Sequence, residues 1–246
     1  MPRFARFSDI ARHLLARHRR LLGVVLFGVL LPWGIFLKVG SEIREQEGFA
    51  GDTAALRLVH AHATPTLDAV NLALTRAGGP PVMAVLCGLI AAGLWWRWQH
   101  RRAAFFGAAV GGAAALNLLA KGLLGRPRPA LWASLAPETS SGFPSGHAMG
   151  TAALVLAVGL LAVGLLAPWR GRWLAWTLGG LFVLGVGFSR VYLGVHYPSD
   201  VLSGWIASVG WVSSVYVLFS PALREWWGSA RLRQQSHRHQ QHHSQA

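Results

Sequence analysis

PSGHAMGTAALVLAVGLLAVGLLA, residues 144–167, is the stretch on which the fold turns. It opens on a polar tetrapeptide, and residues 148–167 then carry no ionisable group. About 20 such residues are what a helix needs to cross the hydrocarbon core of a bilayer, and the Gly and Ala among them suit close helix packing. Five further apolar runs lie to either side. The pattern therefore predicts six membrane-spanning helices, at 21–38, 81–97, 103–120, 148–168, 173–189 and 201–219. Composition agrees with an all-α, polytopic membrane bundle: 53% of the 246 residues are hydrophobic and 13% are charged, with a mean hydropathy of +0.39. Trp95, Trp96, Trp98, Trp169, Trp173, Trp226 and Trp227 fall at run ends, where interfacial aromatic belts lie. The single Cys87 sits inside a run, reads as a small buried residue and excludes an internal disulfide.

The N-terminus has a basic region before its apolar stretch, as a cleavable signal would. The stretch is long for that role and no small-x-small site follows closely, so it reads as a retained first span. The expected organisation is a basic cytoplasmic segment over 1–20, a six-span domain over 21–220, and a polar tail over 221–246. The tail carries His237, His239, His242 and His243 and reads as disordered. With the N-terminus inside, 15 of the 23 Lys and Arg fall on the cytoplasmic face against only Asp9 and Glu225. The net charge of +14 is then topological and calls for no nucleic-acid partner. Residues 41–80 form an extracytoplasmic connection in which 52–63 and 66–77 are amphipathic, an expected interfacial cap over whatever site lies there. His60 and His62 are two apart and point to different faces of a helix, which argues against a shared metal.

Three polar clusters stand at the edges of apolar runs. KGLLGRPRP supplies Lys121, Arg126 and Arg128; PSGH supplies Ser145, Gly146 and His147; SRVYLGVHYPSD supplies Arg190, His196 and Asp200. Charge at such places is costly and marks function by default. Parity makes the argument stronger: the connections between spans three and four and between five and six must share one face, and all three clusters flank them. The basic-residue count puts that face outside the cell.

The residue types point to an anion with histidine chemistry beside it. Pro144 suits the first turn of the fourth helix, which would leave the Ser145 and Gly146 amides free at a helix N-terminus that favours negative charge. Pro198 likewise suits the start of the sixth helix, and Asp200 then falls within reach of one nitrogen of His196. A carboxylate so placed fixes the imidazole tautomer and leaves the other nitrogen free to attack. Lys121, Arg128 and Arg190 would neutralise phosphate oxygens from several directions. Arg126 reads either as a headgroup contact or as a residue facing water.

In order and spacing these clusters, K-x6-R-P, P-S-G-H and S-R-x5-H-x3-D across 121–200, resemble the type 2 phosphatidic acid phosphatase superfamily, related to vanadium haloperoxidases. The resemblance implies His196 as the nucleophile, forming a phosphohistidine, with Asp200 as its orienting partner and His147 as the acid to the leaving group. It implies Lys121, Arg128, Arg190, Ser145 and Gly146 as phosphate ligands, no metal and no cofactor. The expected function is hydrolysis of a membrane lipid phosphate or pyrophosphate: undecaprenyl pyrophosphate, phosphatidylglycerol phosphate or phosphatidic acid. Beyond that substrate and the bilayer itself, no obligate protein partner is evident. A lipid phosphotransferase would use the same site; a transporter or scaffold would account for the spans but not for the clustered cations and histidines.

Overall fold

The structure, a computed structural model, describes residues 19, 21–45, 49–162 and 169–220. The expectations for the N-terminal basic segment, the His-rich tail, Trp226 and Trp227, and the end of the fourth apolar run fall outside these residues. Among them the chain is all-helical. In chain order the helices are α1 (Leu21–Arg44), α2 (Ala50–His60), α3 (Pro65–Ala77), α4 (Pro80–Trp96), α5 (His100–Leu124), α6 (Gly146–Ala162), α7 (Trp169–Tyr192) and α8 (Pro198–Phe219).

The six apolar runs coincide with α1, α4, α5, α6, α7 and α8. Four segments are long and apolar enough to cross a membrane unaided: Leu21–Arg44, His100–Leu124, Trp173–Tyr192 and Pro198–Phe219. A fifth candidate is the bent pair of α3 and α4, which meet at 44° and pass the same test together. Prolines begin both α3 and α4, and Pro80 has no N–H to continue the helix from α3. The second amphipathic stretch forms α3, the first limb of this bent pair. Helix α6 is apolar and described over 17 residues.

Helix α6 lies at the centre, packed against α5, α7 and α8. Its Ala148, Met149, Ala153 and Ala157 are buried with Ala109 and Ala113 of α5 and Ala207 of α8. Small side chains let the backbones approach, as helix pairs in lipid require. Tryptophans use glycine faces in the same way: a Cβ on Gly112 would lie 2.2 Å from the Trp211 ring, whose Nε1 donates to the Ala108 carbonyl at 3.1 Å. The outward faces remain apolar, with Val82, Val85, Leu86 and Leu89 of α4 and Leu118, Leu119 and Leu123 of α5 exposed. A continuous surface of this kind is suited to lipid.

The described part of the connection, residues 49–80, closes onto one end of this bundle. Leu56 of α2 is fully buried against Ala148, Val191 and Val201. On α3, Asp68 accepts from the Tyr192 hydroxyl at 2.7 Å, and Asn71 and Thr75 are buried. At the same end α5 stops at Gly125, whose positive φ of 54° and N–H bond to the Lys121 carbonyl (3.3 Å) turn the chain into the 126–145 loop. Glycine is the residue that takes this conformation without penalty. The C-termini of α5 and α7 and the N-termini of α6 and α8 thus meet beneath α2 and α3.

Candidate active site

Four of the candidate side chains are supplied by helix ends. Lys121 comes from the last turn of α5, Arg190 from the last turn of α7, His147 from the first turn of α6, and Asp200 from the first turn of α8. Arg126 and Arg128 come from the loop after α5, and His196 from the short connection between α7 and α8. Basic residues at helix C-termini and an acid at an N-terminus complement the helix dipoles. Helix α8 begins as the sequence predicts, with Pro198 in its first turn and Tyr197 as the capping residue.

His196 is the centre of the arrangement. It is wholly buried, with Nε2 3.0 Å from Arg128 Nη1 and Nδ1 3.5 Å from Asp200 Oδ2. A guanidinium can only donate, so Nε2 carries the lone pair and Nδ1 the hydrogen. The Nδ1–Asp200 pair is longer than a normal hydrogen bond, and Nδ1 has no other partner. Burial first, and then the positive charge of Arg128 and Arg190, hold the imidazole well below its ordinary pKa. The ring is therefore kept neutral.

The carboxylate of Asp200 is also wholly buried, and its oxygens are already occupied. Arg126 Nη1 donates to Oδ1 at 2.6 Å and the Tyr197 amide to Oδ2 at 2.9 Å. Arg126 is thus neither a headgroup contact nor a residue facing water. Its Nη2 donates to Asp52 of α2 at 2.8 Å, and its guanidinium lies 4.2 Å from the Tyr197 ring centre. Asp52 also accepts from the Ser199 amide (3.0 Å) and hydroxyl. Although burial opposes the charge, these two carboxylates raise the Arg126 pKa and hold it as a cation. Asp52 opens the first amphipathic stretch, where sequence alone gives it no role; its contacts with Arg126 and Ser199 mark it.

The phosphate-ligand candidates converge about a residue that the motif reading passed over, Glu138. Arg128 Nη2 donates to its Oε2 at 2.7 Å, Arg190 Nη2 pairs with its Oε1, and His147 Nδ1 stands 3.7 Å from the same Oε1. Burial alone would raise the Glu138 pKa, but Arg190 and Arg128 outweigh it and hold the carboxyl below its usual range. One sequence signal was available: Glu138 is the sole acid between Asp68 and Asp200. Lys121 binds neutral oxygens, Ser140 Oγ at 3.2 Å and the Ser141 carbonyl. Arg190 also donates to Thr75 Oγ1, while its Nε has no partner. Arg128 and Arg190 thus face one carboxylate, while Lys121 shares the Ser140 and Ser141 oxygens with Arg128, so the cluster carries an excess of positive charge that suits a phosphate.

The PSGH segment departs from expectation. Helix α6 starts at Gly146, so Pro144 precedes the helix rather than sitting in its first turn. The segment is tied down first: Asn117 Nδ2 donates to the Pro144 carbonyl at 3.1 Å, and the Ser145 amide donates to the Asp200 carbonyl at 3.1 Å. That amide is consequently not free. Ser145 Oγ is buried without a partner. At Gly146 a Cβ would lie 3.0 Å from Asn117 Oδ1, which accounts for glycine there by space alone. His60 stacks on Trp132 at 3.9 Å and His62 Nδ1 bonds the Leu58 carbonyl at 2.9 Å.

With this geometry in view, residues 102–224 match the PAP2 superfamily, and the chain belongs to it. The chain is 29% identical over 172 residues to phosphatidylglycerophosphatase B of Bacillus subtilis (strain 168), covering 69% of this chain and 84% of the relative. It is 28% identical over 168 residues to undecaprenyl-diphosphatase BcrC of the same organism, covering 66% and 80%. The crystal structure of the first transmembrane PAP2 type phosphatidylglycerolphosphate phosphatase from Bacillus subtilis is similar with a TM-score of 0.70 at 26% identity. That likeness covers 77% of this chain and 94% of that one.

Proposed function

We propose that this multi-pass membrane phosphatase hydrolyses the terminal phosphate of a lipid at the extracytoplasmic interface, through a phosphohistidine on His196. In this reading α1, α4, α5, α6, α7 and α8 are six membrane helices and both termini are cytoplasmic. The observation that carries it is that Arg128 and Arg190 meet at one carboxylate, Glu138, with Lys121 sharing Ser140 with Arg128, beside the Nε2 lone pair of His196.

The phosphate displaces Glu138 from the cation cluster. His196 Nε2 then attacks phosphorus while the P–O bond to the lipid breaks, and His147 delivers a proton to the leaving oxygen. Asp200, anchored by Arg126, faces Nδ1 and offsets the positive charge that attack creates on the ring. Water next attacks the phosphohistidine with His147 as base; the P–N bond breaks, and phosphate and neutral His196 are released. Phosphoryl transfer is chiefly positioning and charge stabilisation, and each cation lost costs about 10²–10³ in rate by analogy with an oxyanion donor.

The test is phosphate release from purified lipid phosphates in nanodiscs, with rapid alkaline quenching to trap the intermediate. His147→Ala with a p-nitrophenyl phosphate substrate should give a nitrophenol burst, slow turnover and phosphate on His196. Activity should survive exhaustive chelation, because the neutralising charges are protein groups. Phosphate found on another residue, or equal incorporation in His196→Ala, overturns the assignment.

A further inference from the structure

A cavity of 390 Å³ leads away from the reaction centre, and a cation stands on its wall that none of the sequence motifs includes. Arg190, His147 and Glu138 line it together with Arg76, Pro81 and Val82. A single phosphate group, about five heavy atoms, fills only a fraction of this space, which lies in the size range of small-molecule pockets. Val82 is 48% exposed among the apolar outward residues of α4, so the cavity wall is continuous with the face suited to lipid.

Arg76 differs from the arginines around it. Arg126 is held by Asp52 and Asp200, while Arg128 and Arg190 share Glu138. The Arg76 side chain has no hydrogen bond or ion pair among the described residues. Its backbone is held close to the reaction centre, because its neighbour Thr75 accepts from Arg190 and its own carbonyl accepts from the Gly79 amide at 3.1 Å. An unpaired guanidinium lining the same cavity as the phosphate cluster is free to take an anion of its own.

We infer that Arg76 is a second phosphate-binding residue, reading a phosphate that stands between the reacting phosphate and the lipid chain. The inference rests on the proposed lipid phosphatase activity and narrows its substrate class to lipids with two phosphates in series. Two chemistries satisfy it, a prenyl diphosphate and a phosphoglycerol phosphate lipid, and they load Arg76 differently. In a diphosphate the inner phosphate is the leaving group, so negative charge grows on it as the P–O bond breaks and Arg76 acts on kcat. In a phosphoglycerol phosphate the inner phosphodiester keeps its charge throughout, so Arg76 contributes uniform binding and acts on KM.

Arg76→Gln and Arg76→Lys are compared with the wild-type chain in nanodiscs on three substrates: a prenyl diphosphate, a phosphatidylglycerol phosphate and phosphatidic acid. Arg76 is exposed, so neither substitution threatens folding. The ratio of kcat/KM on the two-phosphate substrates to that on phosphatidic acid should fall about tenfold in Arg76→Gln, the scale of a partly screened charge contact. The fall should lie in kcat for the diphosphate and in KM for the phosphoglycerol phosphate, and Arg76→Lys should restore most of it. An unchanged ratio, with all three substrates falling together or not at all, overturns the inference and leaves the phosphatase reading standing. Failure of the wild-type chain on all three substrates overturns the phosphatase reading itself, and this inference with it.

Discussion

Arg126→Met isolates a part of the machine that does not touch substrate. Arg126 is 10% exposed and its two terminal nitrogens are spent on Asp200 (2.6 Å) and Asp52 (2.8 Å), which are 0% and 6% exposed. Methionine keeps the apolar stem and its packing but leaves two buried carboxylates without their common cation. Breaking a buried ion pair by removing one partner costs about 3–5 kcal/mol. Asp52 keeps both Ser199 donors and Asp200 keeps the Tyr197 amide, so the lower end of that range is expected. The catalytic effect is separate: without its Oδ1 anchor Asp200 no longer holds its place 3.5 Å from His196 Nδ1. Misplacement of a reacting group by about 1 Å costs about 10²-fold.

The expected signature is therefore a kcat reduced about a hundredfold with KM nearly unchanged, measured on a lipid phosphate in nanodiscs beside a thermal unfolding series. A double-mutant cycle with Asp52→Asn supplies the sign. Alone, Asp52→Asn should destabilise, because Arg126 loses a partner. In the Arg126→Met background it should be neutral or stabilising, because it removes an orphaned charge. If Arg126→Met retains kcat within about threefold of the wild-type value, or changes KM only, Arg126 is not a positioning residue for Asp200–His196.

Glu138→Gln keeps the shape of the side chain but removes the charge that competes with phosphate for Arg128 and Arg190; vanadate and inorganic phosphate should then inhibit about tenfold more tightly, and weaker inhibition would mean that Glu138 organises the cluster rather than blocking it. Because burial, Arg128 and Arg190 hold His196 below its ordinary pKa, the nucleophile stays unprotonated as pH falls through about 6.5. Its acid limb in kcat/KM lies below that value and should move upward in Arg128→Gln, read from the pH profile on a substrate whose own titration is known; a limb that stays put or moves down refutes the electrostatic account. In a Cys87→Ala background, cysteine at the exposed Thr139 should react with a membrane-impermeant reagent added outside, and cysteine at Gly171 should not; the reverse would place the site in the cytoplasm.

How much was legible before folding depends on the length scale of each interaction. The six apolar runs are local statements about transfer into lipid, and each coincides with a helix. The three polar clusters could be assigned to one end of the bundle by parity alone, since antiparallel neighbours joined by connections must alternate faces. Pro198 and Asp200 at the start of α8 were readable because capping is decided within one turn. Pro144 was misplaced for the complementary reason: where α6 begins depends on Asn117 and Asp200, which hold Pro144 and Ser145 from other parts of the chain.

Tertiary structure alone decided the partners of the charges. Arg126 lies 74 residues from both Asp52 and Asp200 in sequence, and no periodicity or motif spacing records that proximity. Glu138 stands in a connection and Asp52 and Arg76 in the two amphipathic stretches, where no motif singles them out, and their meaning comes from which cations, carboxylates and cavity they meet. The difference is physical. The burial of apolar runs is set residue by residue by the solvent around them, whereas an ion pair exists only once two distant segments share one desolvated space. The sequence by itself determined a membrane helix bundle with its chemistry at one end. Which carboxylate balances which cation there, and which arginine is left without one, was decided only when the helix ends met.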